Sequence, residues 1–151
     1  MDVFSRTFLP AAAESGVAIP TVSRHLPIFR RCVEPDDATV LVTRCANTDR
    51  PLAGDFLLLL TYRRLVITQE TRVLHRLRLH LNADLRHLSD VSWNPDLRTA
   101  AVDVAATAVD GVRERFRMRL PEPEQVWHFD ALLKHVFRER RTPALRTALA
   151  A

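Results

Sequence analysis

Glycine, lysine and cysteine are scarce in this chain, and each scarcity removes a class of function. With three glycines in 151 residues there is no Gly-rich loop to cradle phosphates, since such loops need several glycines for close backbone approach. The two cysteines, Cys32 and Cys45, form no close couple of the kind structural zinc sites use, and two reduced thiols are expected. No apolar run approaches the ~20 residues that a membrane-spanning helix needs. The N-terminus lacks a basic segment followed by a long apolar one, so no signal peptide is expected. HExxH and the nucleophile elbow are both missing, as are internal repeats and low-complexity tracts. These absences point to a soluble, cytoplasmic protein without catalysis, cofactor or bound metal.

What is present is the composition of one folded domain, 47% apolar and 26% charged, in a chain long enough to bury a sizeable core. The basic residues are almost all arginine, with Lys134 the one lysine. A formal charge of +4 raises the question of an anionic partner. The excess is thin everywhere, however. Basic residues outnumber acidic ones by 4 to 3 in residues 1–35, 13 to 11 in 36–120 and 5 to 4 in 121–151.

Periodicity divides the chain. In residues 1–35, Pro10, Pro20, Pro27 and Pro35 mark off short pieces. Leu26, Phe29 and Val33 recur at helical spacing, and Val3, Phe4, Phe8 and Leu9 suggest a second short amphipathic piece. From Thr39 the period is two. Strands are expected over 39–45, 56–61, 64–68, 74–81, 85–93, 99–107 and 112–120. In "LLLLTYRRLVIT", Tyr62 and Arg63 read as a tight connection between two buried strands. Asn94-Pro95-Asp96 reads as a turn, and Asp110-Gly111 is the strongest hairpin signal. Leu77, Leu79 and Leu81 are expected on one face with Arg76, Arg78 and His80 on the other. Phe116, Met118 and Leu120 are expected inward. After Pro121, the residues Val126, Phe129, Leu132, Leu133, Val136 and Phe137 make the stripe of a closing helix.

This order resembles a pleckstrin-homology-like (PH-like, GRAM-like) domain of the bacterial type. "GDFLLLLTYRRLVIT" is similar to the Leu-Thr-x-x-Arg-Leu signature of those domains, with Thr61, Arg64 and Leu65 at the matching positions. The resemblance implies a mainly β fold with α: seven antiparallel strands in two bent sheets, closed by one C-terminal amphipathic helix. The expected division is a partly helical extension over 1–35, a PH-like domain over 36–141 and a flexible tail over 142–151. It also implies a protein-interaction or scaffolding module, with an unidentified protein or a second copy of the chain as partner.

The candidate contacts follow from these elements. Arg113, Arg115, Arg117 and Arg119 alternate along one strand, and Arg76 and Arg78 along another. Arg44 and Arg50 flank the loop "ANTDRPLAGD". Such ladders can face anions, whether an acidic protein or an anionic membrane surface, or stand as a solvated face with Asp103 and Glu114 as partial counter-charges. The loop lacks the lysine and arginine cluster of the lipid-binding relatives, so headgroup recognition does not carry over. Nucleic acid is disfavoured, because no stacking aromatics are interleaved with the arginines. Leu26, Phe29 and Val33 are the apolar candidates, either packed back on the domain or offered to a partner. His128 and His135 are too far apart on the helix for one metal ion, and His87–Asp90 and His128–Asp130 form no triad.

Overall fold

The computed structural model describes residues 1–138. Two helices lead, α1 (Val3–Glu14) and α2 (Ile19–Cys32). Seven strands follow: β1 (Thr39–Asn47), β2 (Asp55–Thr61), β3 (Arg64–Glu70), β4 (Leu77–Asp84), β5 (Ser89–Asp96), β6 (Ala101–Thr107) and β7 (Arg113–Arg119). A last helix, α3 (Glu124–Leu133), continues into a wider turn over Lys134–Arg138. The strands form one antiparallel sheet in the order β4-β3-β2-β1-β7-β6-β5, a mainly β arrangement with a C-terminal helix that is consistent with a PH-like fold. The two bent sheets are halves of this continuous one, joined where Cys45, Ala46 and Asn47 of β1 pair with Met118, Arg117 and Phe116 of β7. The seam has three pairs, whereas β1 pairs with β2 at six positions.

Alternation along β1–β3 supplies two cores, one on each face of the sheet. Leu41, Phe56, Leu58, Leu60 and Ile67 face inward and meet Val102, Phe116 and Met118 of the other half. Val126, Phe129, Leu133, Val136 and Phe137 close this inner core from α3 and its extension. Val42, Leu57, Leu59 and Val66 face outward, and Phe4, Phe8 and Phe29 of the two N-terminal helices, with Val33 just after α2, cover them. The continuous apolar run in β2 therefore reflects burial on both faces.

The prolines do not divide residues 1–35 as expected. Pro10 lies inside α1 and Pro27 inside α2, while Pro20 opens α2. An interior proline deprives the carbonyl four residues back of its helical partner. Here those residues are Arg6 and Ser23, both exposed like the prolines themselves, so water reaches the freed carbonyls. The buried faces carrying Phe4, Phe8 and Phe29 are left intact.

The "TYRR" break is built around Thr61. Its hydroxyl donates to Asp37 Oδ2 at 2.6 Å and accepts the backbone N–H groups of Arg63 at 3.2 Å and Arg64 at 2.8 Å. Tyr62 and Arg63 stay exposed, and Arg63 forms a two-pronged pair with Asp36 at 2.9 and 3.1 Å. Thr61 is thus a polar pin under the turn, and Leu65 enters the inner core.

The second half departs from the expected spans. The fourth strand begins at Leu77 and runs to Asp84, whose side chain accepts the N–H of Arg86 at 2.9 Å and turns the chain into a 3-10 segment over Leu85–His87. The ladder slips between Thr68↔Leu79 and Ile67↔Leu81. That bulge reverses the expected facing of Leu79 and His80: Leu79 is exposed, while His80 packs edge-on against Phe56 and Phe116, with ring centroids 5.2 and 5.8 Å away, and Leu81 keeps its place against the inner core. Asn94-Pro95-Asp96 is the end of β5 and not a turn. A proline is tolerated there because β5 is the last strand of the sheet. The Asp110-Gly111 turn lies where expected, with Gly111 at φ +84° and its N–H bonded to the Ala108 carbonyl at 2.9 Å. Arg140, Arg141 and the tail over 142–151 lie outside the described residues.

Candidate functional site

The arginine ladder of β7 is only half available. Arg117 bonds Asp103 at 2.7 Å, Asp96 at 3.1 Å and the Thr99 hydroxyl. Arg113 donates to the Asp90 carbonyl, the Thr107 hydroxyl and the Ser92 hydroxyl at 2.9–3.2 Å. Both therefore lace β7 to β6 and β5. Arg115 stands exposed between them, and Arg119 exposed beyond them. On β4, Arg78 bonds Gln69 at 2.8 Å, and Arg76 is exposed in the preceding loop. His80, expected beside them, turns inward and bonds Glu114 at 3.1 Å.

Arg44 lines a different concavity, with Arg24 of α2, Asp55, Glu70, Thr71, Arg72 and His75. Arg24 is paired with Glu70 at 2.9 Å, so acids and bases are interleaved here without forming a cluster of one sign. Arg50 is exposed in the β1–β2 loop. That loop touches the β3–β4 loop at Gly54, whose φ of +109° and whose distance from the Glu70 carbonyl leave no room for a Cβ. The tips of these adjoining loops hold exposed Leu52, Val73 and Leu74 beside Arg50, Arg72 and Arg76.

Phe29 and Val33 are buried and Leu26 half-buried, all three packed in the outer core. Beneath them, His25 Nδ1 and Thr68 Oγ1 share a hydrogen bond of 2.6 Å, and His25 Nε2 lies 4.0 Å from Glu70 Oε2. The hydroxyl–imidazole–carboxylate order is that of a relay, but Thr68 and His25 are enclosed, and no substrate can reach the hydroxyl. Burial lowers the His25 pKa; Glu70 opposes the shift, and Arg24 and Arg44 add to it. Burial pushes the Cys45 thiol far up, which removes it as a nucleophile. Among the described residues no set of three or more His, Cys, Asp or Glu side chains converges as for a metal ion, and no helix is long and apolar enough to cross a membrane.

A concave surface feature lies between the β5 edge and α3. It is a groove of about 470 Å³ lined by Val91, Ser92, Trp93, Pro95, Trp127, Asp130, Lys134, Phe137 and Arg138. Trp127 is 55% exposed, unusual for so large an apolar surface. Trp93 Nε1 donates to Asp130 Oδ1 at 2.8 Å, and Lys134 Nζ to Asp130 Oδ2 at 2.9 Å. The Arg138 guanidinium stacks over Trp93 at 5.9 Å. Burial opposes ionisation of Asp130, but the hydrogen bonds from Lys134 and Trp93 and the neighbouring positive charges outweigh it, holding the pKa below the usual carboxylate value. The far side of α3 is clasped by α1: His128 Nε2 lies 2.7 Å from Glu14 Oε1, and Gln125 donates to the Glu14 carbonyl at 2.6 Å.

Neither Trp93 nor Trp127 was among the candidate residues that the sequence offered. Two signals were available. Trp127 falls beside the Val126–Phe129–Leu133 stripe and so off the buried face of its helix. Pro95 in a strand marks an outer edge.

No protein-family model matches the chain, and no curated protein matches it. Solved structures resemble it distantly. The apo structure of an activated truncation of Vav1 is 14% identical with a TM-score of 0.44, over 91% of this chain and 38% of that one. The C-terminal domain of an unknown protein from Leishmania infantum is 13% identical with a TM-score of 0.44, over 78% of this chain and 96% of that one. A structure addressing the PH and C1 domains of the Vav1 exchange factor is 13% identical with a TM-score of 0.42, over 91% and 38%. The chain spans under two fifths of the Vav1 structures it resembles.

Proposed function

We propose that the protein is a non-catalytic interaction or scaffolding module that accepts an extended peptide as an added strand on β5, with one large side chain seated in the β5–α3 groove. The observation that carries this reading is the pairing of an outer strand edge with an apolar groove at the same place. Among the described residues β5 has a neighbour on one side only, and the groove beside it presents Trp127, Trp93, Val91 and Pro95. Strand addition draws affinity from backbone groups and specificity from alternate side chains in flanking pockets. Tryptophan is among the residue types that dominate binding energy at interfaces, and Trp127 lines this groove. Panning a random 12-residue display library on the full chain tests this. Retained peptides should shift the amide resonances of Val91–Pro95 and α3, and Trp127→Ala should weaken them by at least about 10-fold. Retention that maps elsewhere, or that survives Trp127→Ala, sinks the reading.

A second reading, peripheral contact with anionic membrane, is favoured by the exposed apolar loop tips Leu52, Val73 and Leu74 set among Arg50, Arg72 and Arg76. Co-sedimentation with neutral and anionic vesicles decides it. Binding to anionic vesicles that persists near physiological salt, where the Debye length is about 8 Å, supports it, and binding to neither vesicle removes it.

A further inference from the structure

Three ionisable side chains line the β5–α3 groove, Asp130, Lys134 and Arg138, and each is engaged within the chain. Asp130 Oδ1 accepts the Trp93 indole N–H, and Oδ2 pairs with the Lys134 ammonium. Arg138 lies over the Trp93 ring and is likewise partnered. Asp130 keeps its charge throughout the neutral range, because its pKa lies below the usual carboxylate value. The internal pairing therefore persists at working pH. What the lining still offers a guest is mainly apolar: the Trp127 ring, 55% exposed, with Trp93, Val91 and Pro95 beside it.

From these features, and resting on the strand-addition reading above, we infer that the groove selects peptides by one uncharged aromatic anchor, and that Asp130 is the residue that takes charge out of the selection. An aromatic ring can lie offset or edge-on against the exposed Trp127 indole. The groove volume of about 470 Å³ holds such a ring with its flanking backbone. A charged anchor gives up its hydration against Trp127, Trp93 and Pro95 and finds no free counter-charge in return. A guest carboxylate competes with Asp130 for Lys134, and a guest ammonium competes with Lys134 for Asp130. The discrimination is thus against charge of either sign.

The test uses the peptides recovered from the same display library, resynthesised and titrated against the full chain by fluorescence anisotropy. The expected consensus is a single phenylalanine, tyrosine or tryptophan position with no fixed charge beside it. Affinity should change by less than about 2-fold between ionic strengths of about 0.1 and 1 M, although the Debye length falls from about 10 to about 3 Å. Exchanging the aromatic residue for leucine should weaken binding by about 3- to 10-fold, and glutamate or lysine there should weaken it further. Asp130→Asn keeps an acceptor for Trp93 but leaves Lys134 unpaired. It should turn indifference to flanking charge into a preference for acidic peptides that fades with salt. Thermal melting shows whether that variant keeps its fold, and the salt and exchange series on the wild-type protein stand without it. Peptides that need Trp127 but lose affinity steeply with salt, or bind equally well through a charged or aliphatic anchor, overturn the anchor selection and leave strand addition standing. A folded Asp130→Asn variant that stays indifferent to charge overturns the part given to Asp130. Peptides indifferent to Trp127, or an unselected library, overturn strand addition as well.

Discussion

Thr61 shows how one hydroxyl can decide a turn. It satisfies two backbone donors and the Asp37 carboxylate at once, so Thr61→Val removes a shape-matched but irreplaceable polar group. Leaving such partners buried costs about 1–3 kcal/mol, and urea denaturation should register a loss of that size. His25 gives the residue scale its pH dependence. Its pKa is depressed in the folded state by burial, so the unfolded chain binds the proton more readily. Stability is then greatest above the unfolded-state pKa of about 6.5 and declines as pH falls through it. Melting curves at pH 7.5 and 5.5 should diverge for the wild type, and His25→Gln should narrow the gap. Sequence periodicity placed neither residue in these roles, because both depend on partners more than twenty positions away.

Elements show where local pattern suffices and where it does not. The β6 and β7 strands were legible from their alternation, since Val102, Val104, Phe116 and Met118 enter one core. The β4 strand was not, because a bulge opposite β3 breaks the period of two and brings His80 in. The proline-bearing helices were misread as fragments, because the rule against interior proline concerns the carbonyl left behind, and an exposed carbonyl is satisfied by water. Phe29 and Val33 were legible as an amphipathic stripe, and the face they cover on the sheet is their counterpart. Phe8, fully enclosed between α2 and the sheet, should cost about 3–5 kcal/mol when changed to alanine, read from chemical denaturation.

For the whole molecule, the decisive arrangement is that β1, β2 and β3 belong to both cores at once. We propose on this ground that residues 1–35 fold with the sheet as one unit. Far-ultraviolet and near-ultraviolet unfolding transitions should coincide, and Phe8→Ala should move them together. A separate early transition for the helices would contradict this. Arg117, which ties β7 to Asp96 and Asp103, should lower stability by about 1 kcal/mol when changed to alanine, whereas Arg115→Ala should leave it unchanged. The candidate groove was the least legible feature, because it is made of an edge and a helix flank that meet only after the sheet has curled and α3 has closed its end.

The solitary lysine has a practical consequence for anyone working with this chain. Among the side chains of this sequence amine chemistry has one target, Lys134, and it lies in the groove. Attaching the protein to a sensor surface or a dye through amines would therefore blind the very face under study. Conversely, a zero-length carbodiimide coupling between Lys134 and a guest carboxylate would freeze the occupant in place and report its identity by mass.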